Sequence, residues 1–297
     1  MGRTVGVSMT DRLAVGLVDG ARVVGEVRYF PDQGGLAIFQ GMPSDEIAAN
    51  IMEQISLAAG GERLTAVGVG LPGIVRHGVV EESPNLIQMK GLAIEAMLAG
   101  GLGRRYPDVR VAVSNDADAM AAGIAATRGQ LDRLVRVWTL GNGVGFGRYP
   151  AAEGVFEGGH TVVTLDPKET YCGCGGVGHL EGIMGHRAMR LRFLDLEPEE
   201  IFESARTGVA RCMDFVKLWH RALAAGAASS IHMDGPGKFY LTGQNAHFVD
   251  VDRLHRYMSA MVKMSPLQGY SFEVVPGGED IAIIGAAVAA NSLAATA

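Results

Sequence analysis

The chain has 297 residues, 48% of them hydrophobic and 20% charged, with a formal net charge of −6. That composition is ample for buried cores and excludes wholesale disorder, and the length is comfortable for two domains. The acidic balance, with no run of five basic residues, argues against nucleic acid as a partner, because backbone binding needs a basic face.

The three cysteines, Cys172, Cys174 and Cys212, do not make a disulfide framework. The N-terminal MGRTVGVSMTDRL lacks the apolar core of a signal peptide. The C-terminal IAIIGAAVAANSLAATA is apolar over 17 residues, whereas a bilayer crossing wants about 20. It reads as a buried Ala-rich helix, and a soluble, cytoplasmic chain with no membrane partner is expected.

In chain order, TVGVS (4–8), LAVGLVD (13–19) and RVVGEVR (22–28) alternate like a β-meander closed by an Asp19-Gly20 turn. Ser44 reads as an N-cap, with Ile47, Ile51 and Ile55 at helical spacing and Gly60-Gly61 as the stop. LTAVGVG (64–70) and RVAVS (110–114) read as strands, and NDADAMAAGIAATR (115–128) as a helix start. RLVRVWTL (133–140) and VGFGRYP (144–150) then repeat the opening hairpin. Helical stretches around 199–226, the strand KFYLTG (238–243), a helix near 250–264 and SFEVV (271–275) lead to the last helix. A hairpin plus an α/β half, twice over, predicts two similar lobes: 1–114 with 281–297, and 115–280.

Four segments can carry chemistry. In YCGCGGVGHLEG (171–182), Cys172 and Cys174 are followed by His179, and His160 lies twelve residues upstream of Cys172. Thiolate and imidazole suit Zn²⁺, and four protein ligands leave no open position, which marks a structural site. Incidental cysteines and a redox pair are the alternatives, although redox pairs are usually spaced Cys-x-x-Cys. GNGVGFG (141–147) fails the G-x-G-x-x-G fingerprint; its glycines either admit a phosphate to the backbone N–H groups or close a plain hairpin. Asn115-Asp116 is either an N-cap or a carboxylate placed to accept a hydroxyl proton beside an orienting amide. Glu157, His160 and Glu181 flank the cysteine loop as ligands for a polyhydroxy compound or as solvated loop groups.

Taken in order, VGLPGIV (69–75), SPNL (83–86), SNDADAMAAG (114–123), TLGNGVGFG (139–147), EGGH (157–160), CGCGGVGHLE (172–181), YLTGQ (240–244) and IIGAA (283–287) resemble the ROK family of bacterial sugar kinases and repressors. The resemblance implies a two-lobed α/β fold of the actin and hexokinase (ribonuclease H-like) type, with a central cleft and a zinc knot. It implies Asp116 as general base, with Gly73, Asn85, Asn115, Glu157, His160 and Glu181 around a hexose-like sugar. Gly141, Asn142, Gly143 and Gly243 would serve Mg-ATP, His160, Cys172, Cys174 and His179 a structural zinc, and a homodimer is usual.

Three departures stand out. His179 replaces the family's third cysteine, which zinc tolerates. Asn142 replaces a threonine of the second phosphate loop. The first hairpin reads VGVSMTDRL (5–13) where family kinases carry Asp-x-Gly-Gly-Thr, so Ser8 stands in place of an Mg²⁺-placing aspartate. Met9 and Thr10 are expected to crowd the phosphates there. A sugar kinase is the leading reading, glucose-like by default, with a catalytically silent sugar-binding protein as the alternative. A kinase with an unusual donor such as polyphosphate finds no basic channel in its support. A repressor is disfavoured, because the chain enters its first strand near residue 4 without a helix-turn-helix.

Overall fold

The computed structural model describes residues 3–32, 37–152 and 154–292; the last five residues of the apolar C-terminal stretch, 293–297, lie outside them. The chain divides into two compact units. The first comprises Met1–Val135, Gly147–Val155 and Gly278–Ala297, the second Arg136–Phe146 and Phe156–Gly277.

The chain opens with β1 (Arg3–Met9), β2 (Leu13–Asp19), β3 (Arg22–Phe30), α1 (Ala37–Gln40), α2 (Ser44–Ala59) and β4 (Leu64–Leu71). It continues through β5 (Ile74–Arg76), β6 (Val79–Glu82), α3 (Ile94–Gly103), β7 (Arg110–Asn115) and α4 (Asp116–Thr127). Then follow β8 (Val135–Leu140), β9 (Val144–Tyr149), α5 (Glu181–Met184), α6 (His186–Arg192), α7 (Pro198–Arg206) and α8 (Ala210–Asp234). The end is β10 (Lys238–Thr242), α9 (Val251–Met261), β11 (Ser271–Val274) and α10 (Glu279–Ser292).

In the first unit the sheet order is β3-β2-β1-β4-β7. β1–β2 and β2–β3 pair antiparallel, β1–β4 and β4–β7 parallel. Strand alternation divides β1 between two faces. Val5, Val7 and Met9 join Ile47, Ile51 and Ile55 of α2 and Ile94, Leu98 and Leu102 of α3 in one core. Thr4, Gly6 and Ser8 face the other way: the Thr4 hydroxyl donates to Asn291 Oδ1 of α10 (3.2 Å). A Cβ on Gly6 would lie 1.9 Å from the Ile283 carbonyl oxygen, and one on Gly68 1.7 Å from that of Ala286. α10 packs on α4 just as closely, since a Cβ on Gly285 would lie 1.7 Å from Ala119 O and one on Gly123 1.8 Å from Ile281 O. Four glycines thus let helix and strand backbones touch, and this fixes where α4 begins.

In the second unit the sheet order is β11-β10-β8-β9, with β8, β10 and β11 mutually parallel. Read from β9, it repeats the β2-β1-β4-β7 order of the first sheet, as the duplication predicts. Among the described residues after β9 no strand corresponds to β3; Gly158–His160 form a 3-10 turn instead. Trp138, Leu180, Ile183, Trp219, Leu223 and Phe239 lead the core of this unit, and Cys212 is fully buried among them, away from metal chemistry.

Several boundaries move. Helix α4 belongs to the first unit, held there by its contact with α10, so the chain changes unit at 135/136 rather than near 115. Ser44 is the first helical residue rather than the cap: Pro43 holds the cap position, and its carbonyl accepts from Ile47 N (3.0 Å). The predicted Gly60 stop adopts the left-handed conformation, φ 57°. α3 went unread because Gly100, Gly101 and Gly103 weaken its helical signal, although Ile94, Leu98 and Leu102 keep the i, i+4, i+8 stripe. No described helix is long and apolar enough to cross a membrane.

The helix contact predicts that Gly285→Ala lowers stability in urea by about 3 kcal/mol through forced backbone separation. Gly100→Ala, with open space around its Cβ, should be neutral or stabilise by about 0.5–1 kcal/mol. A pH dependence follows from His220 of α8. Its Nδ1 donates to Val216 O (2.8 Å) and its Nε2 accepts from Asp250 N (2.9 Å), and burial holds its pKa down to about 4. The unfolded imidazole takes its proton near pH 6.5 and the folded one only near 4. Stability is therefore unaffected by this group above about pH 6.5 and falls by up to roughly 3 kcal/mol as pH drops towards 4. Urea midpoints measured across that window should show the dip, and His220→Gln should flatten it.

Candidate functional site

The Cys/His cluster lies wholly in the second unit. The loop after β9 returns His160 to the 172–182 stretch, where Val162 bridges His179 and Leu180 N donates to Thr161 O (3.0 Å). The ligand atoms of His160, Cys172, Cys174 and His179 all lie within 4.8 Å of one another. Cys172 Sγ is 3.3 Å from Cys174 Sγ and 3.4 Å from His160 Nδ1. His179 Nδ1 is 3.2 Å from Cys174 Sγ and 3.3 Å from His160 Nδ1. Tetrahedral zinc with bonds of ~2.0–2.3 Å has edges of roughly 3.3–3.8 Å, so two sulfurs and two nitrogens at these spacings fit that ion. Gly176 donates its N–H to Cys174 Sγ (3.3 Å), and a Cβ there would lie 2.1 Å from the His179 ring.

Burial pushes the Cys172 thiol up to about 12 and, with His160 as a second cause, pulls the His179 imidazolium down. A cation at the centre reverses the preference of the thiol by replacing its proton, so binding should weaken as pH falls. Because Nδ1 of His160 faces the cluster, its Nε2 points away, 3.7 Å from Glu157 Oε2. One imidazole thereby presents one ring edge to the Cys/His group and the other to Glu157.

Glu181 opens α5 two residues after His179. Its Oε2 accepts the N–H of Val144 (3.0 Å), and its Oε1 is 3.5 Å from Cys172 Sγ. The Gly141–Gly143 turn is closed by Gly141 N donating to Gly143 O (3.0 Å). Asn142 is exposed. A residue that the sequence did not single out organises this turn: Asn245, fully buried, donates through Nδ2 to Gly141 O (3.2 Å) and pairs with His186 Nδ1 (3.2 Å). Its only sequence signal is its place just after Gly243, whose φ of +95° and close approach to Leu140 O (2.6 Å for an added Cβ) demand glycine. The segment that follows lines a cavity of about 420 Å³ with Phe202, Val216, His247, Phe248 and Val249 among its walls.

The remaining expected residues lie in the first unit. Asn115 Oδ1 accepts from Ala117 N (2.8 Å) and Asp118 N (3.3 Å), and its Nδ2 donates to Gly73 O (2.8 Å). The N-cap reading of Asn115 therefore holds, and the same side chain ties α4 to the 72–73 turn. Asp116 is the first residue of α4; its Oδ1 accepts from Ala117 N (2.9 Å) at the positive end of the helix, which favours the carboxylate. Gly73 has φ +110°, and a Cβ there would meet Glu82 O at 2.3 Å. Ser83, whose hydroxyl donates to Pro72 O (3.0 Å), joins this turn to the exposed Asn85 two residues on.

The first hairpin differs from expectation. Met9 is fully buried in the core behind the sheet, so it cannot crowd a phosphate; only Thr10 and Asp11 are exposed at the turn. Arg12 is drawn back by Glu279 of α10 (Nε–Oε1 and Nη2–Oε2, both 2.9 Å) and lies 3.8 Å from the centre of the Tyr29 ring. Ser8 pairs with Gly70 of β4, and an added Cβ on Gly70 would lie 3.6 Å from Asp116 Cα, so Ser8 and Asp116 sit at the same end of the sheet.

The model of the ROK family matches residues 41–292. A glucokinase of Pyrobaculum calidifontis is 29% identical over 255 residues, 80% of this chain and 82% of that protein. Among solved structures, a ROK hexokinase from Thermus thermophilus superposes with a TM-score of 0.80 at 23% identity, covering 99% of this chain and 100% of that one. A ROK family glucokinase from Streptomyces griseus, in complex with glucose and AMPPNP, gives 0.72 at 24% identity, covering 98% and 100%. All three likenesses run through both units.

The cluster predicts about one zinc per chain by elemental analysis of protein purified without added metal. Cys174→Ser and His179→Ala should each lower retention against a chelator by at least tenfold. Less than half an equivalent in the unaltered protein would contradict the site.

Proposed function

Because the chain belongs to the ROK family, we propose that it is a sugar kinase, transferring the γ-phosphate of ATP to a hydroxyl of a hexose-like sugar, glucose by default. The observation that carries this reading is the placement of Asp116. It is the first residue of a helix whose start is locked by the Asn115 cap and whose body is clamped by α10, so its carboxylate is held in one position. In the proposed reaction Asp116 takes the hydroxyl proton, the oxygen attacks the γ-phosphorus, and the bond to the bridging oxygen of ADP breaks.

Glu157, His160 through Nε2, and Glu181 are the proposed hydrogen-bond partners of the ring hydroxyls, together with Asn85 and the 72–73 turn. Asn115 acts by positioning, since its amide already serves the cap and Gly73 O. The donor phosphates are assigned to the Gly141–Gly143 turn and Gly243, and the nucleoside to the cavity beside Phe248. Zinc at the Cys/His set holds the sugar-binding wall in place and does not react. A cytoplasmic homodimer is part of the proposal.

A silent sugar-binding protein is the second reading, and one observation favours it: Ser8 replaces the carboxylate that would place Mg²⁺, and Thr10 and Asp11 cover the turn. Against it stands the buried position of Met9, which leaves the turn less obstructed than its sequence implies. A coupled assay with glucose and Mg-ATP tests the proposal. Turnover is expected, and Asp116→Asn should lower kcat by roughly 10²–10⁴-fold while glucose affinity stays nearly constant. Unchanged turnover in that variant would remove Asp116 from its role.

A further inference from the structure

Two segments expected to serve different ligands are joined inside the second unit. The metal-type loop ends in α5 and α6, and these helices hold the Gly141–Val144 turn at successive points. Glu181 Oε2 accepts from Val144 N (3.0 Å), His186 N donates to Gly141 O (2.9 Å), and Arg187 N donates to Asn142 O (3.3 Å). The fit is close: a Cβ on Gly143 would lie 2.3 Å from Glu181 Oε2, and one on Gly185 2.7 Å from Asn142 O. A side chain at 143 would thus displace the Glu181 carboxylate from the Val144 amide, whereas one at 185 would meet backbone.

The carboxylate is in turn governed by a metal ligand. His179 and Glu181 share one turn of backbone, closed by Gly182 N donating to His179 O (3.0 Å). A metal that holds the His179 ring would thus restrain the turn from which Glu181 reaches the Val144 amide. A second tie limits how far the loop can open. Arg192 forms a two-armed ion pair with the largely buried Glu169, whose backbone oxygen accepts from Gly178 N (2.8 Å). That brace needs no metal, so loss of the ion should disturb the cluster and Glu181 without unravelling the segment.

We infer that Glu181 is a positioning residue through which metal occupancy of the Cys/His set controls the order of the Gly141–Val144 turn. Its assignment to donor phosphates rests on the proposed function; the coupling rests on the contacts alone. Metal removal should then loosen the donor side as well as the sugar side, which a wall that only shapes a sugar pocket would not do.

Hydrogen exchange at single-amide resolution tests this on the whole chain, zinc-loaded and chelated. Chelation should speed exchange of the Val144 amide roughly five- to tenfold, the effect of one lost hydrogen bond, while β1 amides keep their rates. Glu181→Ala should produce the same change with zinc bound, and chelation should then add little. Glu181→Gln should retain most of the protection, because its amide oxygen still accepts. Acceleration confined to 172–180, acceleration extending to β1, or an unaltered Val144 amide in Glu181→Ala would each overturn the inference. Calorimetry with a Mg-bound ATP analogue separates the two claims. Weaker binding by Glu181→Ala in step with the exchange data supports both, and no nucleotide binding by the unaltered protein alongside an intact exchange effect removes only the donor assignment.

Discussion

The convergence of two thiols and two imidazoles within 4.8 Å is the constraint on which the second unit depends. Left to themselves these groups make weak contacts, and burial keeps Cys172 protonated. A divalent cation held by these four atoms would cross-link the loop: structural zinc is worth about 10–16 kcal/mol in small zinc-binding domains. The four residues span only 160–179, yet the contacts around them reach further. His160 turns its other ring edge to Glu157, and Glu181, two residues after His179, meets Val144 N in the turn between β8 and β9. Glycines at 176 and 185 mark where a Cβ would meet the His179 ring and the Asn142 carbonyl, and one at 143 lies against the Glu181 carboxylate.

The first unit solves a different problem, that of placing one carboxylate without metal. Here the means is backbone contact: α10 lies against β1, β4 and α4 through Gly6, Gly68, Gly123 and Gly285. The helix so clamped begins at Asp116, and its cap, Asn115, reaches across to Gly73 O. The first hairpin is anchored to α10 itself by the Arg12–Glu279 pair. Half-exposed and surface-screened, that pair contributes little to stability; its value is geometric, since it keeps the Arg12 side chain away from the Thr10–Asp11 turn.

Local rules made much of this legible. Alternation gave the hairpin strands within a residue or two, the duplication of order emerged in the second sheet, and the ligand set His160, Cys172, Cys174 and His179 came from residue type and spacing. The Asn115 cap followed from its place before an Ala-rich run. What escaped the sequence depended on contacts between distant segments. Nothing local says that Asn245 is buried against Gly141, that Arg192 grips Glu169, or that Gly143 makes room for Glu181. Met9 was misread because β1 runs one residue longer than its apolar pattern, which turns that side chain into the core. The unit boundary was misplaced for a similar reason, as α4 is held by the last helix of the chain and not by its neighbours in sequence.

As a proposed ROK sugar kinase without the usual first phosphate motif, the protein should still bind a nucleotide. Calorimetric titration of the zinc-loaded protein with a Mg-bound, non-hydrolysable ATP analogue, in the presence of saturating glucose, tests it most directly. One site per chain is expected, with a Kd in the millimolar range or tighter. Heat from glucose binding with none from the nucleotide would contradict it and leave a sugar-binding protein without a donor.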